Sequence, residues 1–382
     1  VSLRDVFLLR DDVVFLNHGS FGACPRPVFE EYQRLQRELE GEPVDFLHPF
    51  RTWPERMAGA RAALAAEMGC DRDELVYVSN TTVGLNVVAR SVQLAADDEV
   101  LTCDHEYGAM DRTWRFLCEK SGARYVRQEL PIPLDDPQEV VEAVWAGVTD
   151  RTKVLFLSHI TSPTGVVLPV AELIGRARLR GILTIIDGAH VPGQLALDLH
   201  GLGADFYAGN CHKWLMAPKG AAFLYARRDV QDLVEPLVVS WGWRSDHPGP
   251  SRFIDEQEWT GTRDPAAQLA VPAALKFCAD HDWPSVRHRC HKLLLEARAE
   301  LLEITGLEPL CPAEGWLLQM ATLPLPPLDP VEFEITLRRR FQVEVPVFEF
   351  AGRPWLRVSI QGYNERSDIE TLARAVRTLL NE

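Results

Sequence analysis

A chain of 382 residues exceeds what one ordinary hydrophobic core fills, so two domains are expected, each able to bury a full interior. Its 46% hydrophobic and 25% charged residues are those of a globular protein, and a net charge of -15 argues against a nucleic-acid backbone or an anionic membrane as partner. Eight cysteines, at 24, 70, 103, 118, 211, 278, 290 and 311, form no CxxC pair, which leads to an expectation of reduced thiols in a cytoplasmic protein, without a disulfide framework or a metal site. Charges interrupt every apolar run at the start of the sequence, and no later run is long enough for a membrane span, so neither a signal peptide nor a membrane partner is expected.

In chain order, a short apolar run over 13–16 leads into Asn17-His18-Gly19-Ser20-Phe21-Gly22. Its two glycines and Asn-His pair make a tight, ligand-compatible turn, or simply a loop before the helix that Pro27 opens. Helices are predicted over 28–40 and 54–68, then a strand over 75–78. Ser79-Asn80-Thr81-Thr82-Val83-Gly84 reads as a polar loop before a helix over 85–94. Small polar residues between a strand and a helix offer hydroxyls and N–H groups to an anion, or serve only as an N-cap. A strand over 99–103, the polar stretch Asp104-His105-Glu106-Tyr107-Gly108, a helix to Cys118 and a strand near 123–126 continue the alternation. The strand over 153–157 ends in a loop, 158–165, a helix over 169–180 follows, and the strand over 182–186 ends in Asp187-Gly188-Ala189-His190. Strands alternating with helices predict a parallel, doubly wound sheet that binds ligands beyond its strand C-termini.

The stretch 204–225 then reads strand, functional loop, strand: an apolar run ends at Gly209, a polar segment carries Asn210, His212 and Lys213, and a second apolar run begins after Gly220. A lysine beside an aromatic between two buried strands is placed to lose solvation and have its pKa lowered, as a Schiff-base amine needs; taken alone, the stretch equally describes a solvated lysine in a hairpin. A loop-rich region with Trp241, Trp243, Arg244 and Trp259 precedes a long helix predicted over 264–280. Helices over 285–304, 331–340 and from Arg366, with strands over 316–323, 343–349 and 355–360, make the remaining half α+β. The division expected is an N-terminal segment (1–19), a large domain (20–264), and a bridging helix with a small C-terminal domain (265–382).

No GxGxxG follows the first strands and no GxxxxGK[ST] occurs. What the strand ends offer is a phosphate cradle, a carboxylate, a lysine and aromatic rings, the four needs of pyridoxal 5'-phosphate. On these residues nearly the whole chain resembles the class-V aminotransferases, fold-type-I pyridoxal-phosphate enzymes related to cysteine desulfurases. Residues 17–22, 104–109 and 239–243 further resemble the isopenicillin N epimerase-like branch. The resemblance implies a large domain with a mostly parallel, seven-stranded-type sheet and a smaller α+β domain. It implies Lys213 as the Schiff-base lysine, Asp187 opposite the pyridinium nitrogen, His190 at the phenolic oxygen, and Asn210 and His212 directed to the phosphate with Thr81 and Thr82. Either His105 or Tyr107 stacks on the ring, with Tyr107 the better fit to an acid followed by a ring. Ser162 stands where many relatives have an asparagine. Arg357 falls on the arginine that grips a substrate α-carboxylate, with His18, Gly19 and Trp241 beside the substrate. Thr262 falls where the family reaches the phosphate of a neighbouring subunit, which implies a homodimer with shared sites.

The implied activity is Cα deprotonation of an amino acid held as an external aldimine, by Lys213, with Tyr107 as the donor that inverts the centre: an epimerase. The same carbanion serves a C–S lyase acting on a cysteine conjugate, or an aminotransferase. A catalytically silent ligand-binding homologue is the alternative of another class, and retention of Lys213, Asp187 and Arg357 together speaks against it. Cysteine desulfurases carry a nucleophilic cysteine upstream of the arginine, whereas residues 339–352 contain none, which speaks against persulfide chemistry.

Overall fold

A computed structural model describes residues 3–49, 51–249 and 251–382. Its strands are β1 (Val14–Phe15), β2 (Leu75–Val78), β3 (Glu99–Cys103), β4 (Arg124–Gln128), β5 (Thr152–Ser158) and β6 (Leu183–Asp187). They continue as β7 (Phe206–Asn210), β8 (Ala222–Ala226), β9 (Met320–Pro324), β10 (Val343–Glu344), β11 (Val347–Phe350) and β12 (Arg353–Ser359). A seven-stranded sheet runs β2-β8-β7-β6-β5-β3-β4, parallel except for β8, which is antiparallel to both neighbours.

Alternation along the strands builds two cores. Leu155, Leu157, Ile186, Tyr207 and Phe223 point into one, while Val154, Phe156, Ile185, Phe206 and Leu224 point into the other. Because both faces are covered, the central strands read as continuous apolar runs, whereas the edge strand β4 is partly exposed. The chain leaves β3 for β4, then returns to the other side of β3 and proceeds through β5, β6 and β7. That reversal makes a switch point between β3 and β5, and the residues that follow these strands converge at their C-terminal ends.

The C-terminal part forms a three-stranded antiparallel sheet, β11-β12-β9, packed with the helices Trp283–Thr305, Pro330–Phe341 and Arg366–Leu380. The N-terminal strand β1 joins it through β10. Several elements differ from expectation. The predicted helix over 264–280 is two, Ala266–Leu269 and Val271–Asp280, with Pro272 opening the second. The strand expected over 316–323 begins only at Met320, because the carbonyls of Trp316 and Leu318 are taken by Val167 N–H and His291 Nδ1, outside any ladder. The strand expected over 343–349 is divided by Pro346, which has no N–H to donate. A helix at Pro137–Trp145, capped by Asp136 onto Gln138 N–H, was announced by Asp-Pro and the spacing of Val140, Val141 and Val144 but is absent from the sequence reading.

Candidate active site

β7 delivers Asn210 at its last position, and the loop to β8 carries His212 and Lys213. The loop is closed by N–H groups of Cys211 and His212 donating to Ala221 O, at 3.1 and 3.2 Å. The turn 17–22, a single helical turn His18–Phe21, is clamped against it. His18 is fully buried; its Nε2 donates to Lys213 O at 3.0 Å and its Nδ1 meets Tyr363 Oη at 3.0 Å. Gly22 has φ +72, and a Cβ there would lie 2.1 Å from His212 O, so only glycine permits this approach. His18 and Gly19 are therefore braces of the lysine loop: the ring nitrogens of the first already have partners, and the second is enclosed by Met320, Ser359 and Trp214.

The Lys213 amine lies 3.0 Å from His190 Nε2. Burial and the nearby positive charge of Arg357 depress its pKa, against the opposing pull of Asp187. Asp187 ends β6 and accepts from Ala189 N–H at 2.9 Å, and burial raises its pKa. Beside it sits Glu106, which the sequence reading did not single out. Its oxygens accept from Ser158 N–H at 2.9 Å and Ser158 Oγ at 2.6 Å, and Ser158 is the ladder partner of Asp187. Burial pushes the Glu106 carboxyl up to about 8, and the neighbouring Asp187 adds to the rise. The acid-then-ring order at 106–107 was the only signal for it.

The polar stretch after β2 is helical from Thr81, earlier than expected, because Asn80 accepts from Val83 N–H at 2.9 Å and caps the helix Thr81–Ser91. Asn210 Oδ1 accepts from Thr81 N–H at 3.0 Å, tying the end of β7 to that helix N-terminus. Thr81 Oγ1 is buried without a partner, and Thr82 is partly exposed beside it. His212 Nδ1 donates to Ala221 O at 3.1 Å, which leaves Nε2 as its open nitrogen. An orphaned hydroxyl and a helix N-terminus side by side form a cradle for a phosphate.

Arg357, on β12, is 7% exposed, and burial lowers its pKa to about 10. One terminal nitrogen donates to Ser162 O at 2.5 Å and the other to Ser20 Oγ at 3.0 Å; Nε has no partner. Among the described residues no carboxylate pairs with it. Arg357, Ser162, Pro163, Phe348, Glu106 and Tyr107 line a cavity of about 210 Å³. Ser162 thus offers its carbonyl to Arg357, and Tyr107 is half-exposed toward open space. His105 is sealed away instead: fully buried, it bonds Thr164 Oγ1 through Nδ1 at 2.9 Å and packs edge-on against Phe350. Of the two rings left open by the sequence, Tyr107 faces the cavity and His105 does not. Trp241 lies elsewhere in the chain, in a hollow of about 1170 Å³ with Trp53, Trp243 and Trp259, and Thr262 is exposed. Neither lines the cavity that holds Arg357 and Tyr107. Another trio, Asp71, Glu74 and His200, is close-set but already bonded, Glu74 to His200 and to the N–H groups of Asp71 and Arg228.

A sequence model of the family aminotransferase class-V matches residues 14–372. The chain belongs to the class-V aminotransferases. It is accordingly a fold-type-I enzyme of the pyridoxal-phosphate-dependent kind, and the cradle, the buried Asp187 and the depressed Lys213 amine fit that cofactor. Among class-V relatives, isopenicillin N epimerase of Amycolatopsis lactamdurans is 40% identical, covering 99% of this chain and 98% of that protein. A probable chloroplastic L-cysteine desulfhydrase of Arabidopsis thaliana is 27% identical over 97% of this chain and 84% of its own. The fold is shared with the cysteine desulfurase CsdA of Escherichia coli, at a TM-score of 0.82 and 22% identity, covering 99% and 97% of the two chains. No helix among the described residues is long and apolar enough to cross a membrane.

Proposed function

We propose that this class-V enzyme is an epimerase-like catalyst that removes and returns the Cα proton of an amino acid or peptide-like amine. The observation that carries the reading is Arg357: a buried guanidinium with an unpartnered Nε and, among the described residues, no carboxylate paired with it, close enough to Lys213 to depress its amine. A buried, uncompensated cation is costly unless a ligand completes it, and the planar fork of arginine suits a carboxylate held by two parallel bonds. Held so, the substrate has its Cα fixed relative to Lys213, which accepts the proton. Tyr107, lining the cavity with Arg357, returns a proton to the opposite face. Pyridoxal phosphate, when bound, supplies the electron sink that stabilises the carbanion. Thr81, Thr82, Asn210 and His212 would hold its phosphate, Asp187 its ring nitrogen, and His190 its phenolic oxygen.

Identity of 40% to an isopenicillin N epimerase over nearly the full length favours inversion. The desulfhydrase relatives favour a second reading, loss of a sulfur leaving group from a cysteine conjugate by the same deprotonation. Persulfide formation is disfavoured, since no cysteine lines the 210 Å³ cavity. We further propose a homodimer in which Thr262 and Trp241 serve the neighbouring site, supported by Trp241 being 85% exposed at a hollow rich in tryptophan. The test is incubation with candidate amino acids in heavy water, scoring products separately. Deuterated product of inverted configuration supports the reading; pyruvate with a sulfur product replaces it with the lyase, and stoichiometric keto acid replaces it with transamination.

A further inference from the structure

Lys213 is followed directly by Trp214, whose ring is fully buried and packs at 5.0 Å against His18. Its Nε1–H lies 3.2 Å from His190 Nδ1. We propose that Trp214, acting through His190, is a positioning residue that holds the Lys213 amine as the free base before the cofactor arrives. This rests on the reading of Lys213 as the cofactor lysine.

An indole N–H only donates, so His190 Nδ1 must present its lone pair. Burial, reinforced by the charge of Arg357, keeps the imidazole neutral, so its single proton sits on Nε2. Nε2 is the atom 3.0 Å from Lys213 Nζ. An ammonium has no lone pair to accept that proton, and two donors cannot meet at this distance. The arrangement is satisfied only when Nζ is a neutral amine accepting from His190.

The other groups facing Lys213 do not settle its state on their own. Asp187, at the end of β6, favours the ammonium; Arg357, on β12, disfavours it. His18 engages the Lys213 carbonyl, and His212 and Lys219 feel its charge or share its loop. The indole–imidazole pair adds a directional preference that charge alone lacks. It is closely held: a Cβ on Gly193 would lie 2.3 Å from the backbone of Trp214, and the His18 ring packs against the indole. A free amine can condense with the cofactor aldehyde as it enters: the nitrogen lone pair forms the bond to carbon, and both amine protons leave with the carbonyl oxygen as water.

Two measurements decide it. In the full chain stripped of cofactor, nitrogen NMR of isotope-labelled histidine, with His190→Gln for assignment, should show His190 with a bare Nδ1 and a protonated Nε2. The reverse pattern, or an imidazolium, overturns the proposal even if no Trp214 variant folds. Uptake of pyridoxal phosphate, followed by absorbance across pH, should in Trp214→Phe move its midpoint upward and fall about tenfold at neutral pH for each pH unit moved. A weaker cofactor affinity with an unmoved midpoint would mean that Trp214 only packs, and would also overturn it. If the wild type takes up cofactor without linking it to Lys213, the reading of the lysine fails, while the tautomer result stands separately.

Discussion

Replacing Glu106 by glutamine should stabilise the protein, and more so as pH rises. In the fold the Glu106 carboxyl is buried among Ser158, Cys103 and Asp187, and its pKa is raised from 4.5 to about 8. The unfolded chain gives up this proton near its ordinary pKa, whereas the folded protein retains it until about 8. Across that window the folded state binds more protons, so wild-type stability falls as pH increases, by about 1.4 kcal/mol per unit and at most about 5 kcal/mol in all. Relaxation around an ionised carboxylate reduces this, and about 2 to 3 kcal/mol is expected. Glutamine reproduces the protonated acid: its oxygen accepts from Ser158 N–H while its amide donates to Ser158 Oγ. Urea unfolding of the cofactor-free chain at pH 5 and pH 8 reads the difference. Near-equal stabilities at pH 5 that diverge in favour of Glu106→Gln at pH 8 agree with the reasoning; a gap independent of pH, or one that narrows, refutes it.

Other outcomes follow from single contacts. Arg357→Ala should lower kcat/KM by about 2 to 5 kcal/mol of transition-state stabilisation, read in steady-state kinetics, and Arg357→Lys should recover only part of it because the fork is lost. A change under twofold in the alanine variant would remove the carboxylate-anchor role. Gly22→Ala places a Cβ against His212 O at a positive φ and should destabilise by more than about 2 kcal/mol in chemical denaturation, with cofactor retention falling alongside. Trp241→Asp should dissociate the proposed dimer in light scattering and weaken cofactor retention; an unchanged mass would argue against that surface as the interface.

The sheet was legible because strands buried on both faces, such as 152–158 and 206–210, leave unbroken apolar runs that end in polar loops. Lys213 and Asp187 stood out because each follows such a run, whereas Thr82 and Arg357 stood out only through the resemblance to the class-V aminotransferases. Burial of individual polar side chains was not legible. Nothing in the order Asp104-His105-Glu106-Tyr107 says that His105 is sealed inside while the buried Glu106 and the half-exposed Tyr107 line one cavity, since that depends on Thr164, Phe350 and Ser158, all distant in sequence. For the same reason the bonds that tie His18 to Tyr363 and to the Lys213 carbonyl were not legible in the sequence. Breaks at Pro272 and Pro346 were visible as residues, but apolar periodicity across them suggested continuous elements.

The most direct test of the account is to load the full chain with pyridoxal phosphate, reduce it with borohydride and map the labelled peptide. The account predicts one cofactor on Lys213, lost in Lys213→Ala together with exchange of the substrate Cα hydrogen in heavy water. A label on Lys219 or any other lysine, or no label with cofactor supplied, contradicts it.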